Sequence, residues 1–292
     1  MVKLSGNDQP TPYHAVIGAD GVASRVRNLI FSEKINQECF HNTDTYAAYF
    51  SMDIDPTQSI SMSKIQHGAN GRTIWLRPIN KDGTRASCYF LTTSTTEDKT
   101  DYSDLLRRAT ACDNTKEQVA ILTDIYNGLR GLGPDAVRGM QQSDDFYFGR
   151  ITQVNLPSWH VSRCGLVGDA AYCPSPLSGG QGTPAALVGS YILAGEMARQ
   201  PDDPQAAFAE YEKIFRGPVE RWSVIPLGGK APRLIAPQTE LGVRAVRTAF
   251  WAASRPKVQE IFASLPSLPG IGSKEKGKME LPEYDFARMN EG

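Results

Sequence analysis

The 292-residue chain is read as an α/β protein with a β-rich region inserted into it. Three observations carry this reading. Two strand-turn-helix segments stand far apart, one near residues 13–31 and one near 166–199. Between them, residues 45–92 are dense in aromatic and β-branched side chains broken by turn formers. Residues 101–128 then switch to helical periodicity.

Taken in order, residues 13–19 (YHAVIGA) form a short buried strand, and Asp20-Gly21 is a turn signal. Ser24 is placed to cap a helix beginning at Arg25. The runs TYAAYFSMDI, RTIWLRPI and RASCYFLTT are strands, separated at Asp55-Pro56, Gly68 to Gly71 and Lys81 to Gly83. In 101–128, Leu105, Leu106 and Ala109 share one helical face, and Val119, Leu122, Ile125, Tyr126 and Leu129 another. Residues 145–154 are a further strand. Leu166-Val167 ends a short apolar segment at Gly168-Asp169, and a Pro- and Gly-rich loop, PSPLSGGQGTP, leads into a helix over 184–199 with proline in its first turn. Residues 205–216 and 239–264 are helices, and the polar end from about residue 264 is expected to be a loosely attached tail.

Composition narrows the function. Lys plus Arg is 31 and Asp plus Glu is 32, so no basic field exists to attract a nucleic-acid backbone. No apolar run approaches the roughly 20 residues that span a bilayer, and the first residues do not form a secretory signal. Cys39, Cys88, Cys112, Cys164 and Cys173 are odd in number with no CxxC pair, and the four histidines have no metal-ligand spacing. Neither a disulfide framework nor a metal site is expected, and a cytoplasmic setting is. Spacing offers no Ser-His-Asp or Cys-His arrangement. Cys173 fits a small buried role better than a reactive thiol. Alternation divides Tyr46, Tyr49, Phe50, Trp75 and Phe90 between core and an aromatic pocket. Arg72, Arg77 and Arg85 fit a solvated sheet face better than an acid-binding site.

Two loops bear chemistry. In Val16-Ile17-Gly18-Ala19-Asp20-Gly21, a carboxylate follows a strand end, where open α/β sheets bind ligands. An ordinary strand-to-helix turn explains those residues equally well. In the second loop, Gly168-Asp169-Ala170 is followed by Pro174-Ser175-Pro176 and then Gly179-Gly180-Gln181-Gly182-Thr183. Glycines there leave N–H donors free before a helix N-terminus, which suits an anion or a ring that becomes anionic on reduction. Asp169 suits sugar-alcohol hydroxyls. A flexible Gly-rich connection is the weaker alternative.

GADGVASRVR resembles the Asp-Gly motif of the class A FAD-dependent monooxygenases, the group typified by p-hydroxybenzoate hydroxylase. GDAAYCPSPLSGGQGTPAALVGSYILAGEM resembles their Gly-Asp motif and its following helix. The resemblance runs from about Tyr13 to Arg199, and LPEY near the end is similar to the tail of some members. It implies a partial FAD-binding, Rossmann-like fold with an inserted β-sheet substrate region and C-terminal helices. The implied segments are 1–40 with the Asp-Gly motif, 41–155 for the substrate region, 156–216 with the Gly-Asp motif, and 217–292 for the C-terminal helices and tail. It implies that Asp169 binds the ribityl chain of FAD, with Gly168 and Ala170 beside it in the cofactor site, that Gly180, Gly182 and Thr183 lie along the flavin's pyrimidine edge, and that Asp20, with Arg27 more weakly, lies near the pyrophosphate and ribose. The implied activity uses NADPH or NADH and O2 to oxygenate a small organic substrate, an aromatic or polyketide-like secondary metabolite. A non-catalytic accessory protein and an FAD-dependent dehydrogenase or cyclase are the alternatives.

The family's opening G-x-G-x-x-G turn, which holds the FAD diphosphate, is not found in these residues. Gly128 to Gly133 has the wrong spacing and no preceding strand, and Gly270-Ile271-Gly272 opens a polar stretch. The chain is therefore expected to start inside the family's pattern. A truncated gene model, a split enzyme whose partner chain supplies the segment, and a shortened paralogue would each produce this. Tyr172 stands where many members have His, and Cys164-Gly165 interrupt a usually branched strand.

Overall fold

The computed structural model describes residues 9–94, 102–225, 236–255 and 279–286. Its elements in chain order begin with β1 (Val16–Gly18), α1 (Arg25–Ile30), α2 (Glu33–Glu38), β2 (Phe40–Asp53), β3 (Lys64–Gly68), β4 (Arg72–Pro78) and β5 (Arg85–Thr93). They continue with α3 (Ser103–Ala111), α4 (Thr115–Tyr126), α5 (Gly133–Gln142), β6 (Tyr147–Val154), β7 (His160–Val161), β8 (Cys164–Leu166), α6 (Gly182–Arg199), α7 (Pro204–Trp222) and α8 (Glu240–Ala253). They fall into two compact units, one made of residues 1–42, 152–228 and 273–292, the other of 43–151 and 229–272.

The first unit is built on a small sheet in the order β1-β8-β7. β1 runs parallel to β8, with Val16 opposite Cys164 and Gly18 opposite Leu166. β1 is the sheet's edge among the described residues. Ser24 caps α1 as its sequence position predicts, its Oγ accepting from the Arg27 N–H at 2.9 Å. Ser32 does the same for α2. Asp203 caps α7, accepting from the Ala206 N–H at 3.0 Å, and Pro204 occupies the first turn where no donor is lost. α6 and α7 pack on the sheet around Trp159, Leu166, Tyr172, Ile192, Phe208, Tyr211 and Phe215, all buried. The Tyr211 hydroxyl donates to Tyr172 Oη at 2.8 Å, linking two phenols within the core.

The expected loose tail is in part a docked strap. The Tyr284 hydroxyl donates to Glu196 Oε1 at 2.7 Å, the Tyr191 hydroxyl donates to the Pro282 carbonyl at 3.0 Å, and the Arg199 guanidinium lies 4.4 Å from the Tyr284 ring centre. Aromatic residues and a helix carboxylate override the polar, Pro-rich composition there. The glycines at 270 and 272, the lysines at 274–278 and the end of the helix expected over 239–264 lie outside the described residues.

The second unit carries an antiparallel sheet in the order β3-β4-β5-β2-β6. Period-two alternation sends Ala48, Phe50, Ile74, Leu76, Cys88 and Phe90 to one face, where they meet Leu106, Leu122, Ile125 and Tyr126 of the helices. The helical stretch expected over 101–128 is two helices, because Asn114 accepts from the Lys116 N–H at 3.0 Å and starts a new one. α5 was not foreseen. Its entrance, Gly131 to Pro134, reads as a loop, yet Pro134 sits in the first turn of a helix. Arg72 is half-buried and committed to the backbone, donating to the carbonyls of Ala69 and Ile125, both at 2.9 Å.

Candidate functional site

Within the first unit, the two loops singled out from sequence face each other across an open cleft of about 400 Å³. Ala19 and Gly21 contribute from one loop, Gly168 and Asp169 from the other, and Gly182 and Thr183 from the start of α6. The parallel pairing of β1 with β8 places both strand ends side by side, and this is what brings the loops together.

Asp20 does not turn its carboxylate into the cleft. Its Oδ2 accepts from the N–H groups of Arg25 at 2.7 Å and Val26 at 3.1 Å, and its Oδ1 accepts from the Ser24 hydroxyl at 2.5 Å. Burial works to raise its pKa, but these hydrogen bonds outweigh it and the net shift is downward. The N-terminus of α1 is thus occupied by its own side chains. Asp169 differs. It is exposed at the cleft, and its pKa is raised, first by desolvation from the surrounding walls, against a hydrogen bond from Cys173. Cys173 itself is pushed up to about 11 by burial and by Asp169, so at neutral pH it is a thiol and not a nucleophile.

The loop after Asp169 is held under strain. Ser175, buried between two prolines, has φ 63° and ψ 139°, a region that non-glycine residues rarely occupy. Gly179 and Gly180 take φ of 98° and 72°. Gly182 has no such requirement. A Cβ at Gly180 would meet nothing within 4 Å, and at Gly182 only Asp169 Oδ1 at 3.9 Å. Packing within the chain therefore does not call for glycine at either position. α6 starts there without a side-chain cap, which leaves first-turn N–H donors at the cleft.

Arg27 lies behind the wall. It is buried, donates to the Ala170 carbonyl at 3.0 Å and the Val22 carbonyl at 2.7 Å, and sits 4.8 Å from the Phe40 ring centre. It ties one loop to the other. Ala170 is buried and meets the cleft only through that tie. Sequence reasoning missed Ala186, Leu187 and Ser190, which extend the cleft along α6. Their spacing from Thr183, three, four and seven residues on, was the available signal.

Ser158, His160 and Glu212 also meet. Both the Ser158 hydroxyl and Glu212 Oε2 lie against the same imidazole nitrogen, Nδ1, at 3.4 and 3.1 Å. A relay needs the imidazole between them, so this cluster cannot activate the serine. It holds the β7 entrance, with Glu212 also accepting from the Trp159 N–H at 2.8 Å. Among the described residues there is no cluster of His, Cys, Asp and Glu suited to a metal, and no helix is long and apolar enough to cross a membrane.

No protein-family model matches the chain. It is 41% identical over 288 residues to the monooxygenase CTB7 of Cercospora beticola, covering 98% of this chain and 65% of that protein. It is 30% identical over 277 residues to the FAD-dependent monooxygenase asL6 of Sarocladium schorii, covering 93% of this chain and 60% of that protein. Among solved structures, the tetracycline destructase Tet(55) superposes with a TM-score of 0.65 at 27% identity, over 96% of this chain and 65% of that one. The chain thus spans less than two thirds of the length of each.

Proposed function

Because the chain is homologous along nearly all its length to flavin-dependent monooxygenases and shares their FAD-binding, p-hydroxybenzoate hydroxylase-like fold, we propose that it forms the ribityl and flavin-edge side of an FAD site in an oxygenating enzyme. The observation that carries this is the cleft in which Asp169, the Gly182-Thr183 helix start and the Ala19–Gly21 turn converge. The group fits these residues. Gly182 leaves a space that no side chain among the described residues fills, the uncapped N–H groups of α6 favour electron-rich oxygen atoms, and an exposed carboxylate accepts hydrogen bonds from hydroxyls.

In this reading Asp169 orients the ribityl chain, with Gly168 allowing close backbone approach. Thr183 and the first turn of α6 bind the pyrimidine edge, Gly180 and Gly182 keep the approach open, and Asp20 acts indirectly by fixing the turn at Ala19–Gly21. Ala170 acts through its carbonyl tie to Arg27. When bound, FAD supplies electron transfer from NADPH or NADH and activation of O2. The protein's part is to orient the ring, stabilise negative charge at its edge and exclude water. The substrate is a small organic molecule of the aromatic or polyketide class; the name of one structural neighbour, a tetracycline destructase, supports this. The setting is cytoplasmic. The diphosphate is held by a nucleotide-binding segment supplied in cis or by a partner chain.

Flavin titration, with a homologous nucleotide-binding segment supplied in cis, tests the site. Asp169→Ala is expected to weaken FAD binding by about 1.5–3 kcal/mol, the scale of a hydrogen bond to a charged group. Unchanged affinity would remove Asp169 from the site.

A further inference from the structure

The strained turn between Asp169 and α6 is held from within. Ser175 is buried and takes φ 63° between two prolines, and a non-glycine residue stays in that region only where its surroundings over-determine it. Those surroundings can be named. Ser178 is 2% exposed, and its hydroxyl donates to the Ser175 carbonyl at 2.8 Å while also lying against the Pro174 carbonyl. The Ser178 N–H donates to the same Ser175 carbonyl at 3.2 Å, and Ser175 Oγ accepts from the Leu177 N–H at 3.2 Å. From β6, Gln153 Nε2 donates to the Pro174 carbonyl at 3.2 Å and to the Ser223 carbonyl at 2.6 Å. One hydroxyl thus sits between the two carbonyls that flank Ser175. Their relative direction is set by the φ and ψ of Ser175, so fixing the carbonyls fixes the strained residue.

Ser178 does not line the cleft, but the residues after it depend on the turn. The N–H groups of Gly179 and Gly180 both donate to the Pro176 carbonyl, at 3.3 and 3.2 Å, and α6 follows at Gly182 with its first turn uncapped. Return of Ser175 to an ordinary φ near −65° is a rotation of roughly 130° about one backbone bond, and it would swing the glycines away from their present path.

We propose that Ser178 is a positioning residue for the flavin: its hydroxyl holds Ser175 at positive φ and so fixes where the 179–182 segment and the first N–H groups of α6 meet the cofactor's pyrimidine edge. The proposal rests on the flavin-site reading above and adds to it a residue that touches no cofactor. Alanine at position 178 keeps the buried Cβ and loses only the hold on the two carbonyls. Glycine at position 175 takes positive φ unaided. Ser175→Gly is therefore expected to suppress the effect of Ser178→Ala.

Two measurements on Ser178→Ala, Ser175→Gly and the double variant test this. The first is amide hydrogen exchange at residues 177–180 in the full chain without flavin. Ser178→Ala is expected to speed exchange there by about 10-fold or more, the scale set by a strained residue of this kind. The double variant is expected to stay within about twofold of Ser175→Gly. The second is the flavin midpoint potential, with a homologous nucleotide-binding segment supplied in cis. A displaced loop takes more from the electron-rich reduced edge than from the oxidised one. Ser178→Ala is therefore expected to weaken reduced flavin about 5- to 10-fold more than oxidised flavin, which moves the potential negative, and the double variant is expected to return to the Ser175→Gly value. A hydroxyl that only stabilised the fold would weaken both forms alike. Unchanged exchange in Ser178→Ala, the same acceleration with and without Ser175→Gly, or an unchanged potential overturns the proposal. A wild type that binds no flavin overturns the flavin-site reading and this role with it. Loss of the Ser178→Ala effect alone leaves that reading standing, because the Asp169 titration judges it separately.

Discussion

Asp20 and Asp169 occupy equivalent places in sequence, each just past a strand and beside a glycine, and the structure gives them opposite work. Asp20 is spent on its own helix, while Asp169 is left at the cleft with its acceptor oxygens available. What sequence could not show is where a side chain spends its hydrogen bonds, since that depends on the loop's path. Asp145 is a third carboxylate with a structural task. It accepts from the Ser51 N–H and the Ser143 hydroxyl, both at 2.7 Å, and these bonds hold its pKa down to about 2. A depressed folded pKa contributes stability above the unfolded value, near 3.9, and that contribution is lost as pH falls through the folded value. Asp145→Asn is therefore expected to lower stability at pH 7, with its deficit against the wild type shrinking between about pH 4 and pH 2. Chemical denaturation at pH 7, 4 and 2.5 measures this, and a deficit constant across the three would contradict the assignment.

Among the elements, α6 is the most heavily constrained. Its first turn borders the cleft, its middle packs in the core, and its last turns receive the 279–286 strap. Gly189 lies where the Tyr172 hydroxyl passes, and a Cβ would overlap that oxygen and press on the Phe215 ring at 2.9 Å. Tyr172 cannot retreat, since it is buried, hydrogen-bonded to Tyr211 and packed against Trp159 at 4.4 Å. Gly189→Ala is accordingly expected to destabilise by about 1–3 kcal/mol despite the better helix propensity of alanine. A thermal melt showing equal or higher Tm would contradict this. α6, α7 and the strands β4, β5 and β6 were legible because periodicity and caps agree along them. The break between α3 and α4, the helix α5 and the strap were not. Asn114, Pro134 and Tyr284 act through one hydrogen bond, a first-turn allowance and a tertiary contact, which composition does not distinguish from loops.

At the scale of the whole molecule, the first unit's sheet ends, among the described residues, at β1, and exposed apolar side chains lie on β1, α1 and α6. Ile17, on β1, is 47% exposed, and Leu29 and Leu187 are 85% and 68% exposed. A parallel sheet ordinarily has both faces and its neighbours covered, and on the proposed reading this edge would take the strands of the nucleotide-binding segment. These 292 residues expressed alone are expected to purify colourless or poorly soluble, and a homologous N-terminal segment, fused or co-expressed, is expected to give a yellow protein. The absorbance spectrum decides it. Stoichiometric flavin on the chain alone would mean that the diphosphate is held elsewhere in this sequence.

The pairing of β1 with β8 also sets an order of events in time. Among the described residues, β1 pairs with β8, 148 positions further along the chain at residues 16 and 164, whereas β3, β4 and β5 pair with neighbours only a short loop away. Closing so long a loop is entropically costly unless the intervening chain has already compacted. The inserted sheet, with its local pairings, is therefore expected to fold ahead of its host. Collapse of that segment would shorten the effective loop between the two halves of the cleft, so a lesion in its core is expected to slow formation of the cleft, as stopped-flow refolding would measure.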